Sequence, residues 1–403
     1  MADVPILIDR EDLVALVQAL IWERSVNPPG AEGGAARVLA GYLQALGIEV
    51  CLHEVEADRP NVIATWRGGP GPTLLLNGHL DVVPPATGWT REPFGGEVLD
   101  GSIYGRGAAD AKGGLAAIAA ALRSLKRQGF SPHGTIVFTA VVDEEVGQIG
   151  TRELQTQGLK ADFGLVAEPT GLLPMVAHKG RIIAEIRVGG RAAHASLWEQ
   201  GDNAINRSLP VLGAINRLQD RLQLQKHPML GSPSVSVTMI HAGSAPNSIP
   251  EECVLTVDRR LVPGERVEVA KDELNRLVAH VGAGFPGFEA EVTFPYVAPA
   301  MEVDVRMPVV AELRRAVAAQ TGRDPGVHGM LATCDAGILS EMGIPSVIFG
   351  PGDLELAHKP DEHVKVDELV QAAEIFAALI VRLLGNRDSL DVLQDGPFTR
   401  QML

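Results

Sequence analysis

The sequence predicts an α/β fold: a parallel-sheet domain interrupted by a smaller α+β insertion. Three observations predict it. Apolar runs at 73–80, 134–142 and 162–167 each end in ionisable residues, and an Ala/Leu-rich helical pattern at 115–128 separates the first two. That is the strand, crossover helix and strand of a parallel sheet. From Arg181 to Phe294 the pattern becomes β-α-β-β-α-β, the ferredoxin-like order. After Tyr296 the α/β pattern resumes. The expected organisation is a sheet domain of residues 1–179 and 296–403 around an insertion of 180–295.

The elements follow in order. Residues 9–24 and 31–46 carry apolar positions at helical spacing, with Gly47 as the stop and Asn27-Pro28-Pro29-Gly30 as the turn between them. Segments 48–55 and 61–66 alternate as strands, and 73–80 is a buried strand. A Pro/Gly-rich loop spans 82–109 and leads into Gly105-Arg106-Gly107-Ala108-Ala109-Asp110-Ala111-Lys112. Long ordered loops in compact domains are often functional. A short helix is expected at 151–157. In the insertion, strands are expected at 181–188, 234–241, 252–260 and 288–294, with helices at 201–222 and 266–281. Pro210 inside the first of these predicts a kink. The second sheet segment reads as helices 305–321, 335–342 and 367–384 and a strand at 346–349. The tail after Gly385 has weak signals.

The 403 residues exceed what one core usually supports, so two domains are expected. A net charge of −15 argues against a nucleic-acid partner. Cys51, Cys253 and Cys334 fit no disulfide or metal spacing, which points to a reducing compartment and a cytoplasmic protein. Met1 to Arg10 does not read as a secretory signal, and no segment reads as a membrane span.

Ligands on open α/β sheets gather past the carboxyl ends of strands. The three apolar runs deliver His79 and Asp81, then Glu144 and Glu145, then Glu168, to that edge. Asp110 lies at the start of the crossover helix, where the helix dipole favours a carboxylate. His79, Asp110, Glu145, Glu168 and His358 together offer two imidazoles and three carboxylates as ligands. Five ligands exceed the set for one zinc and fit two metals sharing a bridging carboxylate. Zinc suits such donors, and cobalt or manganese can substitute. Asp81 then orients His79, and Glu144 is the general base acting on a bridging hydroxide. In the insertion, His194 reads either as a turn histidine or as an oxyanion donor. Asn247 is a turn former or a substrate donor. Arg260 is a surface charge or a carboxylate clamp.

The segments Asn77-Gly-His-Leu-Asp-Val-Val-Pro84, Gly105-Arg-Gly-Ala-Ala-Asp-Ala-Lys-Gly-Gly114, Asp143-Glu-Glu-Val-Gly147, Ala167-Glu-Pro-Thr170, Arg191-Ala-Ala-His-Ala-Ser196, Asp258-Arg-Arg-Leu-Val-Pro-Gly264 and Phe349-Gly-Pro-Gly352 with His358 carry a resemblance. The chain resembles the two-zinc amidohydrolases that include acetylornithine deacetylase, succinyl-diaminopimelate desuccinylase, aminoacylase and the glutamate-releasing carboxypeptidases. The resemblance implies a zinc-exopeptidase-like α/β/α catalytic domain with an inserted lid that also makes a homodimer interface. It implies His79 on one metal and His358 on the other. Asp110 bridges beside a cis peptide, Glu145 and Glu168 complete the shells, and Glu144 is the base. The residue matching His194 reaches the partner's site in dimeric members.

Two departures stand out. Ala111 replaces the family's usual Met, and Arg259 beside Arg260 leaves open which one meets the substrate, although the Asp-x-Arg spacing favours Arg260. Glu rather than Asp at 168 is the choice of deacylases and carboxypeptidases. The implied activity is hydrolysis of an N-acyl amino acid. A dipeptidase or carboxypeptidase is the alternative, and a non-catalytic binding protein on the same fold is the remote one.

Overall fold

The computed structural model describes residues 6–385, so the tail after Gly385 lies outside the described residues. The chain begins with α1 (Arg10–Trp22), α2 (Gly33–Ala45), β1 (Glu49–Glu56), β2 (Arg59–Arg67) and β3 (Gly69–His79). Then come α3 (Lys112–Arg127), β4 (His133–Val141), α4 (Ile149–Thr156) and β5 (Phe163–Val166). The middle contains β6 (Gly180–Gly189), α5 (Ala204–Leu222), β7 (Ser234–Ala242), β8 (Glu252–Leu261), α6 (Val267–Gly282) and β9 (Ala290–Ala298). The last part has α7 (Pro308–Thr321), α8 (Ala336–Glu341), β10 (Ser346–Ile348) and α9 (Val366–Leu384). Two compact units result. One comprises the chain up to Val176, Val303–His328 and the chain from Cys334; the other is Ala177–Glu302 with Gly329–Thr333.

In the first unit six strands run in the order β1-β2-β4-β3-β5-β10. β3 pairs in parallel with β4 and β5, and β10 with β5. β1 and β2 form an antiparallel flank. The apolar run Leu74-Leu75-Leu76 is fully buried, as expected of a central strand covered on both faces. α3 is buried along most of its length because Ala and Gly let neighbours approach closely. It starts at Lys112, three residues before the expected position. The loop at 82–109 is less irregular than its composition suggests. Glu97–Leu99 and Ser102–Tyr104 form short strands, and the latter pairs with His363–Lys365.

In the second unit the sheet order is β7-β8-β6-β9, all antiparallel. In chain order within the unit this is 2-3-1-4, the ferredoxin-like arrangement. Ile186, Val188, Leu255 and Val257 from the sheet pack with Ile215, Leu218, Leu274 and Val278 from the helices. The last strand starts and ends later than expected, at Ala290 and Ala298, because 285–288 forms a turn closed by the Phe288 amide donating to the Phe285 carbonyl. Among the described residues no helix is long and apolar enough to cross a membrane.

Candidate metal centre

β3, β4 and β5 run parallel, so their carboxyl ends share one edge of the first unit, where His79, Glu144, Glu145 and Glu168 emerge. Asp110 precedes α3, and the Asp110–Ala111 peptide is cis. Asp110 is the centre of the cluster. Its Oδ1 lies 3.0 Å from His79 Nε2 and its Oδ2 3.4 Å from His358 Nε2. Glu145 lies 3.0 Å from the same His358 nitrogen, and Glu168 4.0 Å from His79 Nε2. One ligand atom each from His79, Asp110 and Glu145 fall within 4.8 Å of one another. His79 Nδ1 lies 3.0 Å from the Asp81 main-chain oxygen and 3.6 Å from its Oδ1. Donation at Nδ1 leaves the Nε2 lone pair facing Asp110.

The electrostatics describe a site with too much negative charge. Burial pushes the Glu144 and Glu168 carboxyls well above their ordinary range, with the charge of Glu168 adding to the shift of Glu144 and that of Asp110 to the shift of Glu168. Burial also raises Glu145, with Asp110 contributing. Burial opposes the charged form of His79, yet hydrogen bonds to Asp110 and Asp81 outweigh it and hold its pKa well above normal. Hydrogen bonds to Asp110 and Glu145 raise His358 to about 10. Among the described residues Glu168 Oε1, which is buried, has no hydrogen-bond partner. Buried polar atoms are nearly always satisfied. An oxygen left bare beside mixed imidazole and carboxylate donors fits a divalent cation.

The support around the cluster extends beyond Asp81 to residues that escaped the sequence reading, among them Asn27, Arg59, Glu32, Gln148 and Asp335. Asp81 is fully buried, and its two oxygens accept the amides of Glu144 and Glu145, each at 3.1 Å. Asn27 Nδ2 donates to both Asp81 and Asp143 at 2.9 Å. Arg59 joins Asp143 to the fully buried Glu32. Gln148 and Asn77 donate to Asp335, whose carboxyl burial pushes up to about 6. The turn 143–148 is thus tied at both ends. Asp143 and Gln148 there, and His358 across the site, have positive φ. Such backbone persists only where surroundings over-determine it.

A second support joins the Asp110 and His358 loops. Glu362 Oε1 accepts three amides, from Gly107, Ala109 and Asp110, at 3.0, 3.0 and 3.1 Å. Its Oε2 lies 2.5 Å from Arg106 Nη1, and Arg106 Nη2 donates to the His358 carbonyl at 3.1 Å. Both side chains are essentially inaccessible. Gly107 is required here: its φ is +89°, and a Cβ would stand 2.7 Å from Val82. The Gly-Arg-Gly motif and the Asp361-Glu362 pair after His358 were the available signals. Nothing in their spacing links positions 256 residues apart.

The remaining expected residues form local assemblies in the second unit. His194 pairs with Ser248, and the Ala195 amide donates to the Asn247 carbonyl at 2.9 Å, so His194 and Asn247 are neighbours. His194 Nδ1 accepts the Ser196 amide at 3.2 Å. That acceptance assigns the proton to Nε2, making it a donor. Arg259 is buried on the helix side, bound to Glu265. Arg260 alternates to the opposite face, where its Nε donates to Asp258 at 2.7 Å.

The model of Peptidase family M20/M25/M40 matches residues 75–382. The chain belongs to this family. It is 30% identical over 403 residues to the N-formyl-4-amino-5-aminomethyl-2-methylpyrimidine deformylase of Halalkalibacterium halodurans, covering 92% of this chain and 94% of that protein. It is 32% identical over 352 residues to acetylornithine deacetylase of Proteus mirabilis, covering 85% and 88%. Its fold is similar to a Staphylococcus aureus tripeptidase, with TM-score 0.75, 26% identity and 93% and 98% of the chains covered. The family member is therefore a hydrolase of C–N bonds, with a mixed α/β fold and a candidate metal site.

Proposed function

We propose that this hydrolase cleaves the amide bond of an N-acyl amino acid, releasing a carboxylate and a free amine, with two divalent metal ions, zinc in the first instance, at the Asp110 cluster. The observation that carries the reading is Asp110 itself, whose two oxygens face two imidazoles at 3.0 and 3.4 Å. His79 and Glu168 would hold one ion, His358 and Glu145 the other, with Asp110 between them. When bound, such ions supply Lewis acidity that polarises the scissile carbonyl and acidifies water.

The chain's own residues do the rest. Glu144 takes a proton from the attacking water and returns it to the leaving nitrogen; its burial-raised pKa suits both transfers. Asp81, through the Glu144 and Glu145 amides, holds base and ligand in place. His194 donates its Nε2 proton to the oxyanion, in its own subunit or in the partner's, and Asn247 binds beside it. Arg260 holds the substrate carboxylate in the bidentate manner of guanidinium groups. Arg259 is unsuited to that role because the core buries it.

The deformylase and deacetylase relatives support the deacylase reading. The tripeptidase likeness favours a second reading, a peptidase acting on short peptides. A homodimer formed through the inserted unit is part of the proposal, checked by light scattering. Three free thiols support a reducing, cytoplasmic location. The test is a hydrolysis panel of N-acetyl, N-formyl and N-succinyl amino acids against dipeptides and tripeptides, with zinc or cobalt added. Turnover confined to the acylated amino acids is expected; turnover confined to peptides overturns the deacylase reading.

A further inference from the structure

One residue on the inward row of β8 breaks its pattern. Cys253, Leu255, Val257, Arg259 and Leu261 are all buried, and four of them are apolar. The fifth carries a guanidinium that is 1% exposed. A buried charge is costly unless it is paired and fully hydrogen-bonded. Arg259 is answered only in part. Its Nη2 lies 2.5 Å from Glu265, and its Nη1 donates to the Arg260 carbonyl at 2.6 Å. Among the described residues its buried Nε has no partner. A position that suits leucine holds instead a cation with a spare donor.

Arg259 lines a groove of about 770 Å³ between α5 and α6, a volume within the range of small-molecule sites. Five arginines and two glutamates line it, on a chain whose net charge is −15. Glu265 answers Arg259, and Glu273 answers Arg221 at 3.2 Å. Arg276 has only an exposed Asp272 at 4.0 Å. Among the described residues the side chains of Arg217 on α5 and Arg266 before α6 have no ion pair or hydrogen bond, and both are exposed. The N-terminus of α6 opens on the same groove through Arg266 and Val269, and no side chain caps it. The first-turn acid Glu268 lies 3.1 Å from Lys271. A helix N-terminus favours an anion. Leu222, Leu277 and the exposed Val269 give the groove an apolar side as well.

We propose that this groove binds an organic phosphate, with the phosphate on Arg217, Arg266 and the α6 N-terminus and an apolar body along Leu222, Val269 and Leu277. The donors come from two helices. A phosphate monoester offers three acceptor oxygens in different directions, whereas a carboxylate offers two in one plane. The charge of Arg259 lies in the core beneath, where screening is weak, and adds to the attraction. The groove is on the helix side of the sheet, and Arg260 is on the opposite face. None of these residues takes part in the hydrolysis proposed above, so the inference stands apart from that reading.

The experiment is titration calorimetry of the full, zinc-loaded chain with phenyl phosphate, and with benzoate as a planar anion on the same ring. Wild type is expected to bind phenyl phosphate at least about tenfold more tightly than benzoate, the size of one charge-assisted hydrogen bond. Arg217→Gln and Arg266→Gln are each expected to weaken phenyl phosphate by about tenfold with zinc content unchanged. Both side chains are exposed, so these variants keep the fold. Arg259→Leu, which completes the apolar row, is expected to weaken it as well. Phenyl phosphate could also meet the metal centre. Affinity unchanged in Arg217→Gln and Arg266→Gln would place it there or elsewhere and overturns the proposal. Absence of phenyl phosphate binding by wild type overturns it too, as does benzoate bound equally tightly.

Discussion

Arg106 and Glu362 form a buried clamp between the two loops that carry Asp110 and His358, and breaking it should damage both the fold and metal binding. Arg106→Met removes the 2.5 Å contact to Glu362 Oε2 and the 3.1 Å bond to the His358 carbonyl. Glu362 is left as a fully buried carboxylate with three amide donors and without its paired guanidinium. Burial and the neighbouring Asp110 already push its pKa up to about 7, so the loss of arginine falls on a group with little margin. Removing one partner of a buried pair typically costs about 3–5 kcal/mol.

Glu362→Gln keeps an acceptor for the amides but strands Arg106, whose Nε already lacks a partner among the described residues. The double variant removes both charges and should cost at least ~1 kcal/mol less than the two singles together. Misplaced ligand loops should weaken metal affinity by about 10–100-fold in each single variant. Denaturant unfolding and zinc titration calorimetry read the two effects separately. Single-variant costs that add within about 0.5 kcal/mol, with unchanged zinc affinity, would refute the clamp.

Three further outcomes are expected. Asn27→Ala deprives Asp81 and Asp143 of a shared donor; stability should fall by about 2–3 kcal/mol and kcat should fall more than KM rises, measured by unfolding and steady-state kinetics. Burial depresses His178 to about 4, below its ordinary 6.5, so the unfolded chain binds more protons between those values. The folded state's advantage is therefore complete above about pH 6.5 and lost as pH falls towards about 4. From about pH 7.5 to about pH 5 the loss is about 2 kcal/mol, and His178→Gln should flatten that slope in denaturant midpoints. Chelation should lower the melting temperature, and zinc at about 100 times its Kd should restore about 2.7 kcal/mol; an identical melting curve with and without metal would exclude a centre at Asp110.

The strands that build the site were legible because each is an apolar run ending in a charged residue, and burial is what such runs are for. His79, Glu144, Glu145 and Glu168 needed only that edge, since parallel pairing brings strand ends together without long-range information; Asp110 and His358 lie in loops and were singled out by the motifs around them. The ferredoxin-like order of the insertion was readable for the same reason: each element keeps its own periodicity. The clamp and the Asn27–Asp143–Arg59 network were not readable. They join residues distant in sequence through buried polar bonds, and isolated Arg, Asn and Glu residues carry no periodic signal. Telling the environments of Arg259 and Arg260 apart needed the pleat. One residue of slip along β8 exchanges core and open face, and the burial alternation puts Arg259 in the core and Arg260 on the open face. The short strands at 97–104 hid in a loop whose Pro and Gly content suppressed a strand reading.

The central claim is that Glu144 moves the proton at a metal centre built around Asp110. The most direct measurement is kcat of Glu144→Gln, loaded with metal to the wild-type stoichiometry, on a substrate that the wild type turns over. The account predicts a fall of about 10²–10⁴-fold with metal content unchanged, since the amide keeps the shape but cannot accept the proton. Wild-type turnover in the loaded variant would contradict it.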